Sequence, residues 1–184
     1  MPPSARLDRV FDSYAWVEYF RGTPAGEVVA DELDAGLGGT PLVVVAELRD
    51  KYVREEVPHS SKDFAFVKEA TVLVPEDETI AVRAGETKNR MRAERRRDFG
   101  LVDGIIWETA RAREATLVTG DPHFRGLPSV VFLELARRGP HSLRRRLVDS
   151  PTRPRPHPLH LLHALAVQEE DAGGDDDESD DQVE

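Results

Sequence analysis

The stretch FGLVDGIIWETARAREATLVTGDPHF, residues 99–124, decides the fold of this chain. Apolar residues recur at helical spacing over residues 101–114, which predicts a helix with a broad apolar face. The short, β-branched run at residues 116–119 then predicts a strand, and residues 120–126 predict a loop that begins and ends with glycine. A helix that leads at once into a buried strand is typical of an α/β fold, in which helices cover a parallel sheet.

The same alternation extends outward from this stretch in both directions. Apolar runs predict further strands at residues 7–11, 42–45, 71–74 and 130–133. Helical periodicity and capping residues predict helices at residues 13–20, 25–37, 47–57, about 60–70 and about 76–97. The glycines at positions 36, 38 and 39 are expected to end the second helix. Strands that alternate with helices predict a mostly parallel sheet with right-handed crossovers, covered on both faces.

The net charge of -10 is unevenly distributed along the chain. Ten of the 35 acidic residues lie between Glu169 and Glu184, so the remainder carries 25 acidic and 25 basic residues. The acidic composition is therefore no argument against a polyanionic substrate. Prolines and arginines interrupt the pattern beyond about residue 138, which predicts a folded domain over residues 1–138 and a disordered tail over 139–184, with a short helix near 159–167 as an alternative for part of it.

Composition excludes several classes of protein. The chain has no cysteine, so neither disulfides nor thiolate zinc sites can hold its fold. No apolar run approaches the roughly 20 residues that cross a bilayer, and residues 1–10 lack the apolar segment of a secretory signal. These features predict a cytosolic protein without a membrane partner, whose metals would be bound by carboxylates or imidazoles.

Acidic side chains lie close to the carboxyl ends of the predicted strands, where ligands bind in open parallel sheets. Asp12 directly follows the first strand, Asp121 follows the 116–119 strand after a tight turn at Gly120, and Glu47 begins the helix after a third strand. Asp103 lies in the first turn of the 101–114 helix. Carboxylates gathered this closely repel one another until a proton or cation neutralises them, and Mg²⁺ or Mn²⁺ prefers such oxygen ligands. The alternative for each acid is an exposed residue, a helix cap or an ion-pair partner.

Three strings that contain these acids resemble a known family. They are FDSYAWVEYFRGTPAGE from Phe11, VVVAEL ending at Leu48, and the stretch from Phe99 to Phe124. In order and spacing, over about residues 7–133, the chain resembles the PIN-domain ribonucleases, and within them the toxin subunits of VapBC toxin-antitoxin modules. The tail after about residue 138 departs from the compact toxins of that family.

The resemblance implies a three-layer α/β/α domain with a five-stranded parallel sheet. It implies an endoribonuclease that depends on Mg²⁺ or Mn²⁺, with Asp12, Glu47, Asp103 and Asp121 as metal ligands and Ser13 and Thr119 in support. It also implies a homodimer held inactive by an antitoxin protein. Two alternatives stay open: a PIN-fold nuclease for RNA maturation, and a regulatory module that binds RNA or a protein without cutting.

The segment that leads to the Asp103 helix is rich in basic residues, among them Arg92, Arg95, Arg96 and Arg97. One interpretation is that they hold RNA phosphates through salt-sensitive contacts, and the other is a solvated helix face with intrahelical ion pairs. Trp107 either stacks a base or, as is more common for an aromatic on an apolar helix face, belongs to the core. The histidines at positions 157, 160 and 163 are expected to be solvated residues of the tail.

Overall fold

A computed structural model describes residues 6–57, 60–94 and 97–134. The predicted tail, its histidines, the end of the domain near residue 138, Arg95 and Arg96 all lie outside these described residues. Within them the chain forms five strands, six α-helices and one short 3₁₀ helix. None of those helices has the length and apolarity needed to cross a membrane.

The elements alternate along the chain as an α/β pattern. The strands are β1 Arg9–Phe11, β2 Gly38–Pro41, β3 Val72–Val74, β4 Thr116–Thr119 and β5 Val130–Phe132. The helices are α1 Ser13–Phe20, α2 Pro24–Asp34, α3 Leu42–Arg54, α4 Ser60–Ala70, α5 Glu78–Ala93 and α6 Leu101–Ala112, and the 3₁₀ helix is Pro122–Phe124.

The five strands form one sheet in the order β3-β2-β1-β4-β5, and every neighbouring pair is parallel. Helices on the two faces complete a three-layer α/β/α fold, as predicted. The order places β1 and β4 side by side at the centre, with Phe11 opposite Val118. The residues that follow these two strands, Asp12 and Gly120, therefore emerge next to each other at the carboxyl edge of the sheet.

The prediction of a strand at residues 42–45 is wrong. These residues begin α3, and the strand is the preceding Gly38–Pro41 segment, whose glycines the sequence analysis interprets as the break after the second helix. Helical spacing buries Val44, Leu48 and Tyr52 on one face of α3, and this packing overrides the strand preference of the valine run. A Cβ on Gly39 would lie 2.4 Å from Leu7 Cδ1, so a larger residue at this position would force the buried Leu7 side chain to move.

Three predicted helices extend too far by three residues or more. The second ends at Asp34 instead of residue 37, α3 ends at Arg54 instead of residue 57, and α5 ends at Ala93 instead of residue 97. After α5 the chain turns so that the Phe99 side chain is fully buried, and Arg92 Nε donates to the Phe99 carbonyl at 2.9 Å. Burial of this aromatic ring requires the turn, which the helical periodicity could not indicate. Helices α1 and α4 and strand β4 lie where they were predicted.

Candidate metal centre

Asp12 lies at the junction of β1 and α1 and is the most deeply buried acid of the predicted set, with 3% of its surface exposed. Asp12 Oδ1 accepts a hydrogen bond of 2.9 Å from the Ala15 backbone N–H, which makes Asp12 the N-cap of α1. Its second oxygen, Oδ2, accepts from the Thr119 hydroxyl at the end of β4. The carboxylate is therefore fixed between the two central strands.

Burial raises the pKa of Asp12 from its ordinary value of 3.8 to about 7, although the hydrogen bonds from Thr119 and Ala15 act in the opposite direction. The negative charges of Asp121 and Glu47 raise this pKa further. A nearby cation stabilises the charged form of a carboxylate that burial has desolvated in this way. The ionised form of Asp12 is thus unfavourable unless a positive charge is bound nearby.

Asp103 lies in the first turn of α6, where its Oδ2 accepts from the Gly100 backbone N–H at 2.6 Å. This contact satisfies an N–H group that precedes the helix and directs the carboxylate back toward the sheet edge. Burial and the charge of Asp121 raise the pKa of Asp103, while the Gly100 hydrogen bond and His123 lower it. Asp103 and Asp121 are therefore close enough to interact directly.

Asp121 follows β4 through Gly120, a residue that must be small at this position. A Cβ on Gly120 would lie 2.2 Å from Tyr14 Cε1, because the Tyr14 ring, which belongs to α1, packs directly against the turn. The Asp121 backbone N–H donates to Thr119 Oγ1 at 2.9 Å. Since the same hydroxyl donates to Asp12, Thr119 links the Asp12 carboxylate to the backbone of Asp121.

Glu47 lies in the second turn of α3 rather than at its start, because the helix begins five residues earlier than predicted. A hydrogen bond from the Ser13 side chain lowers the pKa of Glu47, but burial outweighs it and, with the charges of Asp103 and Asp121, raises that pKa overall. Glu47 thus belongs to the same electrostatic cluster. Ser13 therefore contacts Glu47, and its role in supporting a metal ligand stays a prediction.

His123 is a residue of this site that the sequence analysis did not single out. Its Nδ1 lies 3.3 Å from Asp103 Oδ2 and 3.1 Å from Asp121 Oδ1. One ligand atom from each of Asp103, Asp121 and His123 lies within 4.8 Å of the other two, which is the spacing of a set able to hold one metal ion. The signal was present in the string Thr-Gly-Asp-Pro-His-Phe, two positions after a predicted ligand.

The structure therefore gathers all four predicted acids at one edge of the sheet. Asp103 and Asp121 lie within ligand spacing of each other, Asp12 is connected to Asp121 through Thr119, and Glu47 is coupled to Asp103 and Asp121 by charge. Such a group of carboxylates can hold a divalent cation and bring it against a phosphate group.

The other residues considered for RNA contact differ in their environments. Trp107 is buried and its ring lies 6.2 Å from that of Phe124, so it belongs to the core. Arg92 donates a hydrogen bond to the Phe99 carbonyl, so its side chain has a structural role. Arg97 is exposed. A role in RNA binding for either arginine stays a prediction.

The family model of the PIN domain matches residues 9–130, more than half of the chain. The chain therefore belongs to the PIN-domain family, whose members are nucleases. A comparison with curated proteins found no match.

Solved structures share the fold. A toxin-antitoxin complex from Klebsiella pneumoniae is 18% identical, covers 69% of this chain and 98% of its own, and has a TM-score of 0.56. DNA-bound VapBC from Salmonella typhimurium is 16% identical, with coverage of 68% and 96% and a TM-score of 0.51. VapBC2 from Rickettsia felis, bound to a fragment of promoter DNA, is 16% identical, with coverage of 68% and 97% and a TM-score of 0.51. At these identities the likeness establishes the fold alone.

Proposed function

We propose that this protein is an endoribonuclease that hydrolyses RNA phosphodiester bonds with the help of Mg²⁺ or Mn²⁺. The observation that carries the proposal is the convergence of Asp103 and Asp121, with His123, at ligand spacing beside the buried Asp12. The same residues occupy the carboxyl edge of a parallel sheet, where substrates of such folds bind. Membership of a nuclease family supports the same reading.

The residues present fit a hard divalent cation. Burial and mutual repulsion raise the pKa values of Asp12, Glu47 and Asp103, so each of these groups gains when positive charge is bound nearby. Asp103 and Asp121 are the residues that would hold the ion, with Asp12 and Glu47 completing its acidic surroundings. When bound, such an ion activates water and neutralises charge that develops on the phosphate.

The residues around the ligands have separate tasks in this proposal. Thr119 holds Asp12 and the Asp121 backbone together, which fixes the distance between the inner and outer acids. Ser13 orients the Glu47 carboxylate. Because its pKa is raised, Glu47 is a stronger proton acceptor than an ordinary glutamate and is suited to take a proton from the attacking water.

We also propose that the nuclease is the toxin of a toxin-antitoxin pair and acts as a homodimer. Support comes from the shared fold, since the solved structures of that fold include a toxin-antitoxin complex and VapBC assemblies. An antitoxin that covers the acidic pocket would keep the nuclease inactive. The alternative roles are RNA maturation and binding without cleavage.

Cleavage assays with the full chain test the nuclease proposal. Wild type, Asp12→Asn and Asp103→Asn are incubated with structured RNA, single-stranded RNA and DNA in Mg²⁺, Mn²⁺ or EDTA. We expect metal-dependent RNA cleavage by wild type and a loss of about a hundredfold or more in both variants. Asp31→Asn is the matched control, because Asp31 is an exposed aspartate on α2 and loses the same charge.

Two outcomes contradict the nuclease proposal. RNA binding without cleavage by wild type indicates the regulatory module, and cleavage that survives in EDTA and in Asp103→Asn indicates a contaminating nuclease. The toxin proposal has its own test, in which the wild-type gene is induced in a bacterial host beside Asp103→Asn. Growth arrest by wild type alone supports a toxin, whereas RNA cleavage without growth arrest supports a maturation nuclease.

A further inference from the structure

His123 faces both outer carboxylates with a single nitrogen. Its Nδ1 lies 3.1 Å from Asp121 Oδ1 and 3.3 Å from Asp103 Oδ2, although the two acids come from different elements of the fold. Two ligand atoms that share one six-coordinate ion at bond lengths of about 2.1 Å lie about 3 Å apart when they are adjacent. Both measured separations are close to that value.

The position of His123 is set by the local backbone. Asp121 caps the 3₁₀ helix Pro122–Phe124, and its Oδ1 accepts from the His123 backbone N–H at 2.8 Å. Pro122 restricts the backbone at the first position of that helix. The imidazole is therefore presented to the carboxylates before any ligand binds.

Aromatic packing against the core also holds the 3₁₀ helix Pro122–Phe124 in place. The Phe124 ring is buried and lies 5.8 Å from that of Phe99, and the Phe99 ring also meets the His123 imidazole edge-on at 6.1 Å. About 30% of the His123 side chain remains exposed. One face of the imidazole is thus fixed by the core while its Nδ1 edge borders the site.

We propose that His123 Nδ1 is a direct ligand of the metal held by Asp103 and Asp121, and that this nitrogen makes the site prefer Mn²⁺ to Mg²⁺. The inference rests on the proposed metal dependence and specifies which ion the site selects. Mg²⁺ is a hard ion that favours oxygen ligands and retains its waters. Mn²⁺ also takes oxygen ligands but belongs to the first-row transition series, whose ions bind imidazole nitrogen, although it is the weakest binder of that series. Replacing one oxygen ligand by nitrogen therefore penalises Mg²⁺ more than Mn²⁺.

Metal titrations of the full chain compare wild type with two variants. In His123→Asn the amide group stands near the place of Nδ1 and offers oxygen, while His123→Ala offers no ligand. We expect His123→Asn to lose about tenfold or more in Mn²⁺ affinity, on the scale of metal-site substitutions, with little change for Mg²⁺. His123→Ala is expected to weaken both ions and to weaken Mn²⁺ more.

The control variant separates ligation from a simple effect of charge. Arg125 lies next to the same turn and stacks over the Phe132 ring at 4.1 Å from its centroid. Arg125→Gln removes a positive charge two residues along the chain from His123, one that pairs with Glu134, and leaves His123 in place. If His123 acted only as a countercharge, its removal would shift Mn²⁺ and Mg²⁺ binding equally, as Arg125→Gln is expected to do, and the proposal would be overturned.

Pulsed electron paramagnetic resonance of bound Mn²⁺ gives a second measurement that needs no RNA. Coupling to a nitrogen nucleus in wild type that disappears in His123→Ala supports direct ligation. Bound Mn²⁺ without such coupling overturns the assignment of His123 and leaves the proposed nuclease intact. Failure of wild type to bind either ion overturns both the ligand assignment and the proposed metal dependence.

Discussion

The two halves of the acidic site are built in opposite ways. The inner half, Asp12 and Thr119, is buried between the central strands, and both Asp12 oxygens accept hydrogen bonds from the protein. The outer half, Asp103, Asp121 and His123, lies at the surface, where 31% of the Asp121 side chain is exposed. Acids that lie close together in one site can therefore differ in burial and in hydrogen bonding.

Each half has a different relation to solvent and therefore to charge. The inner carboxylate carries a large desolvation cost, which raises its pKa to about 7, and it is held rigidly. The outer residues remain accessible to an ion and a phosphate. Pairing a fixed, poorly solvated acid with accessible ligands links ion binding at the surface to the stability of the core.

The largest expected effect concerns Asp12 and stability. Because the folded-state pKa of Asp12 is raised, folding favours the protonated form, so this group's contribution is greatest at low pH and is lost as pH rises from 3.8 through about 7. The full loss amounts to about 4 kcal/mol. Urea unfolding in EDTA should therefore show wild-type stability falling as pH rises from 3.8 to about 7.

The matched variants divide this effect between the two halves. Asp12→Asn cannot ionise and should lose most of the pH dependence, whereas Asp121→Asn, in the outer half, should keep most of it. Equal slopes for wild type and Asp12→Asn would show that the inner acid is solvated. That result would remove the contrast between the halves.

A smaller effect is expected at the link between the halves. Thr119→Val removes the hydroxyl that donates to Asp12 and accepts from the Asp121 backbone N–H. Leaving buried polar groups without these partners should lower the free energy of unfolding by about 1 to 3 kcal/mol. Denaturant titrations measure the loss, and Thr119→Ser, which retains the hydroxyl, should be the milder variant; a reversed ranking would contradict the link.

The smallest effect is expected at Ser13. Its hydrogen bond lowers the pKa of Glu47, so Ser13→Ala should raise that pKa further and move the acidic limb of the pH profile of cleavage to higher pH. Stability should change by less than about 0.5 kcal/mol. Rate profiles against pH measure the shift, with Ser13→Thr as the variant that keeps the hydroxyl. An unmoved profile would mean that Glu47 does not control the rate.

The fold was predictable where the local pattern and the packing agree. Helix α6 and strand β4 combine strong apolar periodicity with β-branched residues, and both were predicted within two residues of their observed ends. The Leu42–Val45 run was misassigned because four apolar residues fit a buried strand and a helix equally well by pattern. In the structure the preceding Gly38 and Gly39 form the strand that pairs with β1, because their small size permits the close contacts there. The Leu42–Val45 run is therefore left to begin the helix.

The candidate site was predictable through its carboxylates. Each of the four acids lies beside the end of a predicted strand or at the start of a helix, and charge repulsion makes their grouping chemically informative. The pattern did not distinguish the buried Asp12 from the partly exposed Asp121. It also gave His123 no special weight, because its meaning depends on two carboxylates from different parts of the chain.

The sequence by itself determined the α/β class, the family resemblance and the set of acids, because these depend on periodicity and on the order of residues along the chain. Only the tertiary structure decided that β1 and β4 are neighbours and that Thr119 joins Asp12 to Asp121. It also decided that His123 faces both outer acids. Burial and distance set desolvation and ligand spacing, and both arise from contacts between residues far apart in sequence.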